Sequence, residues 1–224
     1  MELDTHVKGL LDMLAASGQP KMWEVPPAEA RKMALALTQR SRRRSRSGRS
    51  IMAGRSGSIP FRIYTPVAAS AEPLPCLIYF HGGAWIFGDL DTVDCMCRML
   101  ANESACRVIS IDYRLAPEHR FPAGVEDAYA AIEWVAANAS TLGINPARIG
   151  VAGDSAGGNL AAVVCQNAKN KGPRLALQVL LCPVVDFAAD NQSRRDFAFG
   201  YFLERPLMEW TAICQVSLAR CRRA

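Results

Sequence analysis

The amino-acid sequence predicts an α/β fold: a mainly parallel sheet with helices on both faces. Two observations carry this prediction. Near-continuous, β-rich apolar runs recur along the chain, as strands buried on both faces require, and helical segments separate them. The chain has 224 residues, 50% of them hydrophobic and 21% charged. That length holds one domain, or one domain with a small appendage, and that composition is globular, with enough apolar surface to offset the entropy of ordering.

In chain order, Leu3–Gln39 places Val7, Leu10, Leu11 and Leu14 at helical spacing. It breaks at the proline-containing Glu24–Pro27 and resumes as a second helix over Ala28–Leu37. Arg40–Ser58 is Arg, Ser and Gly with almost no apolar side chains, and reads as a disordered connector. Strand runs follow at Pro60–Tyr64, Cys76–Phe80, Arg107–Asp112, Arg148–Ala152 and Ala176–Cys182, the last closed by Pro183. Glu126–Ala137 and Ala156–Asn167 read as helices between them. The domain reading is therefore helices over 1–39, a linker over 40–58, an α/β core over 59–215 and a basic tail over 216–224.

Charge and cysteine usage exclude several classes. The net charge is +5, yet Arg40, Arg42, Arg43, Arg44, Arg46 and Arg49, with Arg220, Arg222 and Arg223, exceed that whole excess. The body between these clusters is mildly acidic, which gives no reason to expect nucleic acid as a partner. The 8 cysteines form no CxxC pair and no Cys/His zinc spacing, so no metal is expected and the thiols are expected to be reduced. The longest apolar stretches, Cys76–Phe87 and Ala176–Ala189, are too short to span a bilayer. Met1–Leu14 has no basic-then-apolar signal pattern, so the expected location is cytoplasmic.

Two motifs carry chemistry. Gly153-Asp154-Ser155-Ala156-Gly157-Gly158 contains G-x-S-x-G, after a predicted strand and before a predicted helix. That context makes Ser155 a nucleophile on a sharp strand-to-helix turn, with small residues beside it where a β-carbon would collide with backbone. The Ala156 N–H then faces an anion at the helix N-terminus. His81-Gly82-Gly83-Ala84-Trp85 follows the predicted strand Cys76–Phe80. Its consecutive glycines let backbone N–H groups face a substrate oxygen, which makes Gly82 and Gly83 the expected oxyanion donors alongside Ala156. Asp154 reads as a turn-former, and Trp85 as either packing under the loop or lining the acyl pocket.

With Gly88–Thr92, Asp112–Glu118 and Phe121–Ala123, these motifs resemble the hormone-sensitive-lipase-like family of α/β-hydrolase carboxylesterases, the GDSAG-type esterases. The likeness covers roughly Ile59–Gln215, and more weakly Leu3–Leu37, where that family places cap helices. The resemblance implies an α/β-hydrolase fold and an esterase acting on short to medium acyl esters, small molecules, without metal or organic cofactor. Asp112, Tyr113, Arg114 and Glu118 read as a structural polar cluster beside the sheet.

The sequence departs from that family at one point. Hydrolases of this architecture order their triad Ser, then Asp or Glu, then His. His6, His81 and His119 are the three histidines, and all precede Ser155. Asp186, Asp190, Asp196, Glu204 and Glu209 follow it, with no histidine to orient, so neither triad acid nor triad histidine is found. His81 sits in the oxyanion loop, where the family counterpart is structural, and the segment around His119 also resembles a family segment. The expectation is an α/β-hydrolase lacking its last strands, crippled for want of a base; the alternative is a non-catalytic, truncated or frame-shifted fragment of such an esterase. The 21 Arg against 5 Lys fit shifted reading frames over 40–58 and 216–224. A nucleic-acid-contacting arm and a solvated linker are the rival readings of the first segment. No oligomeric state follows.

Overall fold

A mixed sheet organises the chain in the computed structural model, which describes residues 3–38, 46–54, 57–69 and 73–216. Its six strands are β1 (Arg46–Gly54), β2 (Gly57–Thr65), β3 (Leu74–Phe80), β4 (Arg107–Ile111), β5 (Ile144–Asp154) and β6 (Leu177–Leu181). They lie in the order β1-β2-β4-β3-β5-β6. β4, β3, β5 and β6 run parallel, and β1 and β2 add an antiparallel flank. The α/β fold, with its mostly parallel sheet, is as the sequence predicts.

Side-chain alternation explains the layering, because successive strand residues point to opposite faces. Ile78 of β3 lies level with Ile109 of β4 and Val151 of β5. All three are buried with Ile132 and Val135 of α4 (Ala123–Ala137) and Leu160 and Val164 of α5 (Ala156–Lys171). Leu77 and Tyr79 point the other way and meet Cys97 and Ala101 of α3 (Asp94–Ser104). Helices therefore cover both faces, and the apolar runs of β3 and β4 are the consequence.

Two further helices build a smaller core outside the sheet. Ala30, on α2 (Pro27–Thr38), packs with Ile86 and Phe87 and with Leu207, Trp210 and Cys214 of α7 (Arg205–Val216). The Phe87 and Trp210 rings stack with centroids 5.8 Å apart. α1 (Thr5–Ala16) buries none of its residues; Asp4 caps it by accepting the N–H groups of His6 and Val7. A short α6 (Gln192–Asp196) precedes α7.

Two expectations need correction. Residues 46–54 and 57–58, expected within a disordered linker, form a β-hairpin in which Met52 lies opposite Ile59 and both are buried. Backbone pairing with β2 supplies the order that an Arg/Ser-rich composition hides. Residues 40–45 and 55–56 of that linker, residue 39 before it, and the tail from 217 onward lie outside the described residues. Cys76, Cys95, Cys97, Cys106, Cys165 and Cys182 are free thiols, but Cys214 is disulfide-bonded. An apolar surrounding indicates burial and does not reveal pairing.

Candidate active site

β5 ends at Asp154 and α5 begins at Ala156, so the whole reversal falls on Ser155, at φ 52° and ψ −116°. This is a positive-φ conformation that a side-chain-bearing residue holds only when its surroundings enforce it. Here the Ser155 N–H donates to the Leu181 carbonyl at 2.8 Å, and the Ser155 carbonyl accepts the Val184 N–H at 3.1 Å. Both bonds pin the turn to the end of β6. On its other side Gly157 passes so close to β3 that a β-carbon there would overlap the carbonyl oxygens of Phe80 and His81. The small residues of the motif thus serve close approach, as the sequence implies.

The second motif forms a turn beside this elbow. Gly83, Ala84 and Trp85 have φ of 113°, 53° and 59°. The Gly83 carbonyl closes the turn by accepting the N–H groups of Ile86 at 2.9 Å and Phe87 at 2.8 Å. The Gly82 N–H donates to Asp154 Oδ1 at 2.9 Å. That amide is therefore engaged, and the expectation that Gly82 is an oxyanion donor is corrected. The amides of Gly83, Ala84 and Ala156 have no acceptor among the described residues. Ala84 and Ser155 line the same cavity, of about 1030 Å³.

Trp85 has two sets of neighbours. It packs against the main core and lines that cavity, edge-on to Phe187 at 6.0 Å between centroids. The Arg194 guanidinium lies over the Phe187 ring at 5.9 Å and donates to the Phe187 and Asp186 carbonyls, each at 2.7 Å. Asp186, Asp190 and Glu209 line the cavity as well, whereas Asp196 and Glu204 do not. Phe187, Arg194 and Tyr201 were not singled out from the sequence; they are brought here by the path of the chain after β6.

None of the three histidines lines this cavity. His81 is fully buried, its ring stacked on Tyr113 at 4.3 Å. Its Nδ1 lies 2.8 Å from the Gly82 carbonyl, which fixes the proton there and leaves Nε2 unpartnered among the described residues. Burial holds its pKa below the usual imidazole range, against the Gly82 carbonyl and the charges of Asp154 and Asp89. His81 is a neutral structural residue. His119 lines a separate cavity of about 420 Å³ with Arg31, Asp89, Asp112 and Glu118. His6 is exposed on α1.

The expected polar cluster resolves into separate contacts. Tyr113 donates its hydroxyl to the His81 carbonyl at 2.7 Å. Arg114 pairs with the buried Asp127 at 2.8 Å, and Glu118 with Arg31 at 2.7 Å. The Asp112 N–H donates to the Pro60 carbonyl at 2.9 Å. Among the described residues no group of three or more His, Cys, Asp and Glu side chains is placed to hold a metal ion. No described helix is long and apolar enough to cross a membrane.

The family profile of the alpha/beta hydrolase fold matches residues 77–221. The chain belongs to this family. The hormone-sensitive-lipase-like resemblance agrees with its relatives. This alpha/beta hydrolase is 49% identical over 163 residues to the carboxylic ester hydrolase LipN of Mycobacterium tuberculosis, covering 70% of the chain and 43% of LipN. It is 50% identical over 152 residues to the carboxylesterase NlhH of the same organism, covering 67% of the chain and 47% of NlhH. The match thus spans less than half the length of these curated relatives. An ester hydrolase from the metagenome of Lake Arreo, complexed with a bipyridine phosphonate derivative, superimposes with a TM-score of 0.92. The two are 40% identical, and the superposition covers 96% of this chain and 71% of that one. The hyperthermophilic esterase of the archaeon Pyrobaculum calidifontis gives a TM-score of 0.89 at 37% identity, covering 100% of this chain and 74% of that one.

Proposed function

We propose that the site is that of a carboxylic ester hydrolase, with Ser155 as the nucleophile and a small-molecule ester as the substrate. The observation that carries this reading is the strained Ser155 backbone, held on a β5–α5 turn so that the residue lines one cavity with Ala84. The names of the relatives point to the same chemistry. In this reading Ser155 Oγ attacks the ester carbonyl, and the amides of Gly83, Ala84 and Ala156 receive the developing oxyanion. Preorganised donors of this kind are worth about 3–4 kcal/mol each to an acyl-transfer transition state. The acyl group lies against Trp85 and Phe187. Water then hydrolyses the acyl-enzyme and restores the serine. The reading calls for no cofactor.

The reaction also needs a base to take the serine proton and return it to the leaving alkoxide. None of the chain's three histidines lines the cavity, which favours slow turnover in the chain as it stands. Nucleophile and oxyanion donors without a base describe a site that traps an electrophile better than it turns over an ester. The test is covalent labelling with an alkyl fluorophosphonate, read by mass spectrometry of peptides. The expected result is a slow adduct on Ser155, absent from Ser155→Ala. An adduct elsewhere, or none after prolonged exposure, overturns the assignment of Ser155.

A further inference from the structure

We propose that Arg31, on α2 and outside the family-matched segment, is a positioning residue that clamps the oxyanion turn from behind. Its guanidinium makes four hydrogen bonds. Nε donates to the Ile86 carbonyl at 2.7 Å, and Nη2 to the Ala116 carbonyl at 2.8 Å. Nη1 and Nη2 also hold the two Glu118 oxygens at 3.0 and 2.7 Å.

The bonded groups converge on one short segment. Ile86 is the residue whose N–H closes the turn onto the Gly83 carbonyl, and the Trp85 carbonyl accepts the Ala116 N–H at 2.9 Å. Arg31 thus holds the Ile86 carbonyl directly, and through the backbone of Ala116, bonded at its carbonyl by Arg31 and at its N–H by Trp85, it braces Trp85. Between those anchors and the Asp154-bound Gly82 lie Gly83 and Ala84, two of the three proposed donors. Ala84 and Trp85 sit at positive φ, a conformation that relaxes unless neighbours enforce it. The guanidinium fork suits this task, since its fixed planar donors satisfy two carbonyls and a carboxylate at once. The packing of Ala30 against Ile86 and Phe87 brings α2 to the same place.

The inference rests on the Ser155 reading, so its test separates the two. Butylboronic acid adds to a serine hydroxyl: the Oγ–B bond forms, the hydroxyl proton leaves to solvent, and boron becomes a tetrahedral anion whose oxygen occupies the donor site. No base residue is needed at equilibrium. The dissociation constant and the tetrahedral boron NMR signal are measured for the parent chain, Ser155→Ala, Arg31→Ala and Arg31→Lys, at a temperature where each is folded. Exchange of the Ile86 and Phe87 amides is followed in the same samples.

We expect a tetrahedral signal in the parent that Ser155→Ala lacks. Arg31→Ala is expected to raise the dissociation constant about tenfold and to speed exchange of both amides, the fold-change lying within what misplacing a donor costs. Arg31→Lys keeps a cation for Glu118 and so restores the melting temperature, but not the affinity. Affinities within twofold of the parent in both Arg31 variants overturn the clamp alone, as does weaker binding without faster exchange. A parent signal no greater than that of Ser155→Ala overturns the nucleophile reading and, with it, the clamp's role.

Discussion

Asp154 Oδ1 accepts the Gly82 N–H at 2.9 Å and, on the same oxygen, the Tyr79 hydroxyl at 2.7 Å. The residue beside the proposed nucleophile therefore ties the elbow to the turn that carries the proposed donors. Burial and the neighbouring Asp154 charge raise the Tyr79 pKa, so the phenol stays a donor. Asp154→Ala leaves two donors without an acceptor, which should cost about 2–3 kcal/mol in urea denaturation. Asp154→Asn keeps an acceptor oxygen and should cost less than half as much. Equal losses from the two variants would show that the carboxylate acts through its charge rather than through these bonds.

The glycines of the elbow give a paired prediction. Gly157→Ala puts a β-carbon onto the backbone carbonyls of Phe80 and His81, which belong to the centre of the sheet and its exit. It should destabilise by about 3 kcal/mol or more, at or above the upper range for overpacking. Gly9 lies inside α1 with open space around it. Gly9→Ala should stabilise by up to about 1 kcal/mol through helix propensity. Thermal melts of the two variants give opposite signs if the close approach is real.

His81 sets an acid sensitivity. Its pKa is held by burial below the ordinary 6.5, whereas the unfolded chain binds the proton near that value. Well above that pH both states are neutral at this residue and its titration costs nothing. As pH falls below it, the unfolded chain gains a proton that the fold refuses, and stability declines until the folded pKa is reached. The expected slope approaches about 1.4 kcal/mol per pH unit for one proton. Glu118, held low by the Arg31 hydrogen bonds, loses its stabilising effect only in acid below its ordinary 4.5. The window between about 6.5 and 4.5 is therefore that of His81. Urea-derived stability that stays level down to about pH 5 would contradict the assignment.

Much of this site is legible in the sequence, and the exceptions share a cause. The strands of the sheet's centre read correctly because burial on both faces leaves an apolar run, as in Cys76–Phe80. The strand-to-helix turn at Ser155 reads correctly because G-x-S-x-G encodes a local steric need. The proposed donor set includes Ala84 in place of Gly82 because a carboxylate 72 residues away takes the Gly82 amide. Arg31 is invisible for the same reason, since its carbonyl partners lie 55 and 85 residues along the chain. β1 escapes notice because its order comes from pairing with β2, while its composition of Arg, Ser and Gly signals a linker. Contacts set by tertiary geometry leave no local trace in the side-chain pattern.

The most direct test of the proposed serine site is ester hydrolysis with a base added. The rate on p-nitrophenyl butyrate is measured for the parent chain and for Ser155→Ala at matched concentration, across a series of imidazole concentrations. The difference between the two proteins removes the hydrolysis that imidazole performs by itself. The difference should be close to zero without imidazole and rise to a plateau as imidazole fills the cavity beside Ser155. A large difference without imidazole would show that a base is already within reach of Ser155. No difference at any concentration would show that Ser155 is not the nucleophile.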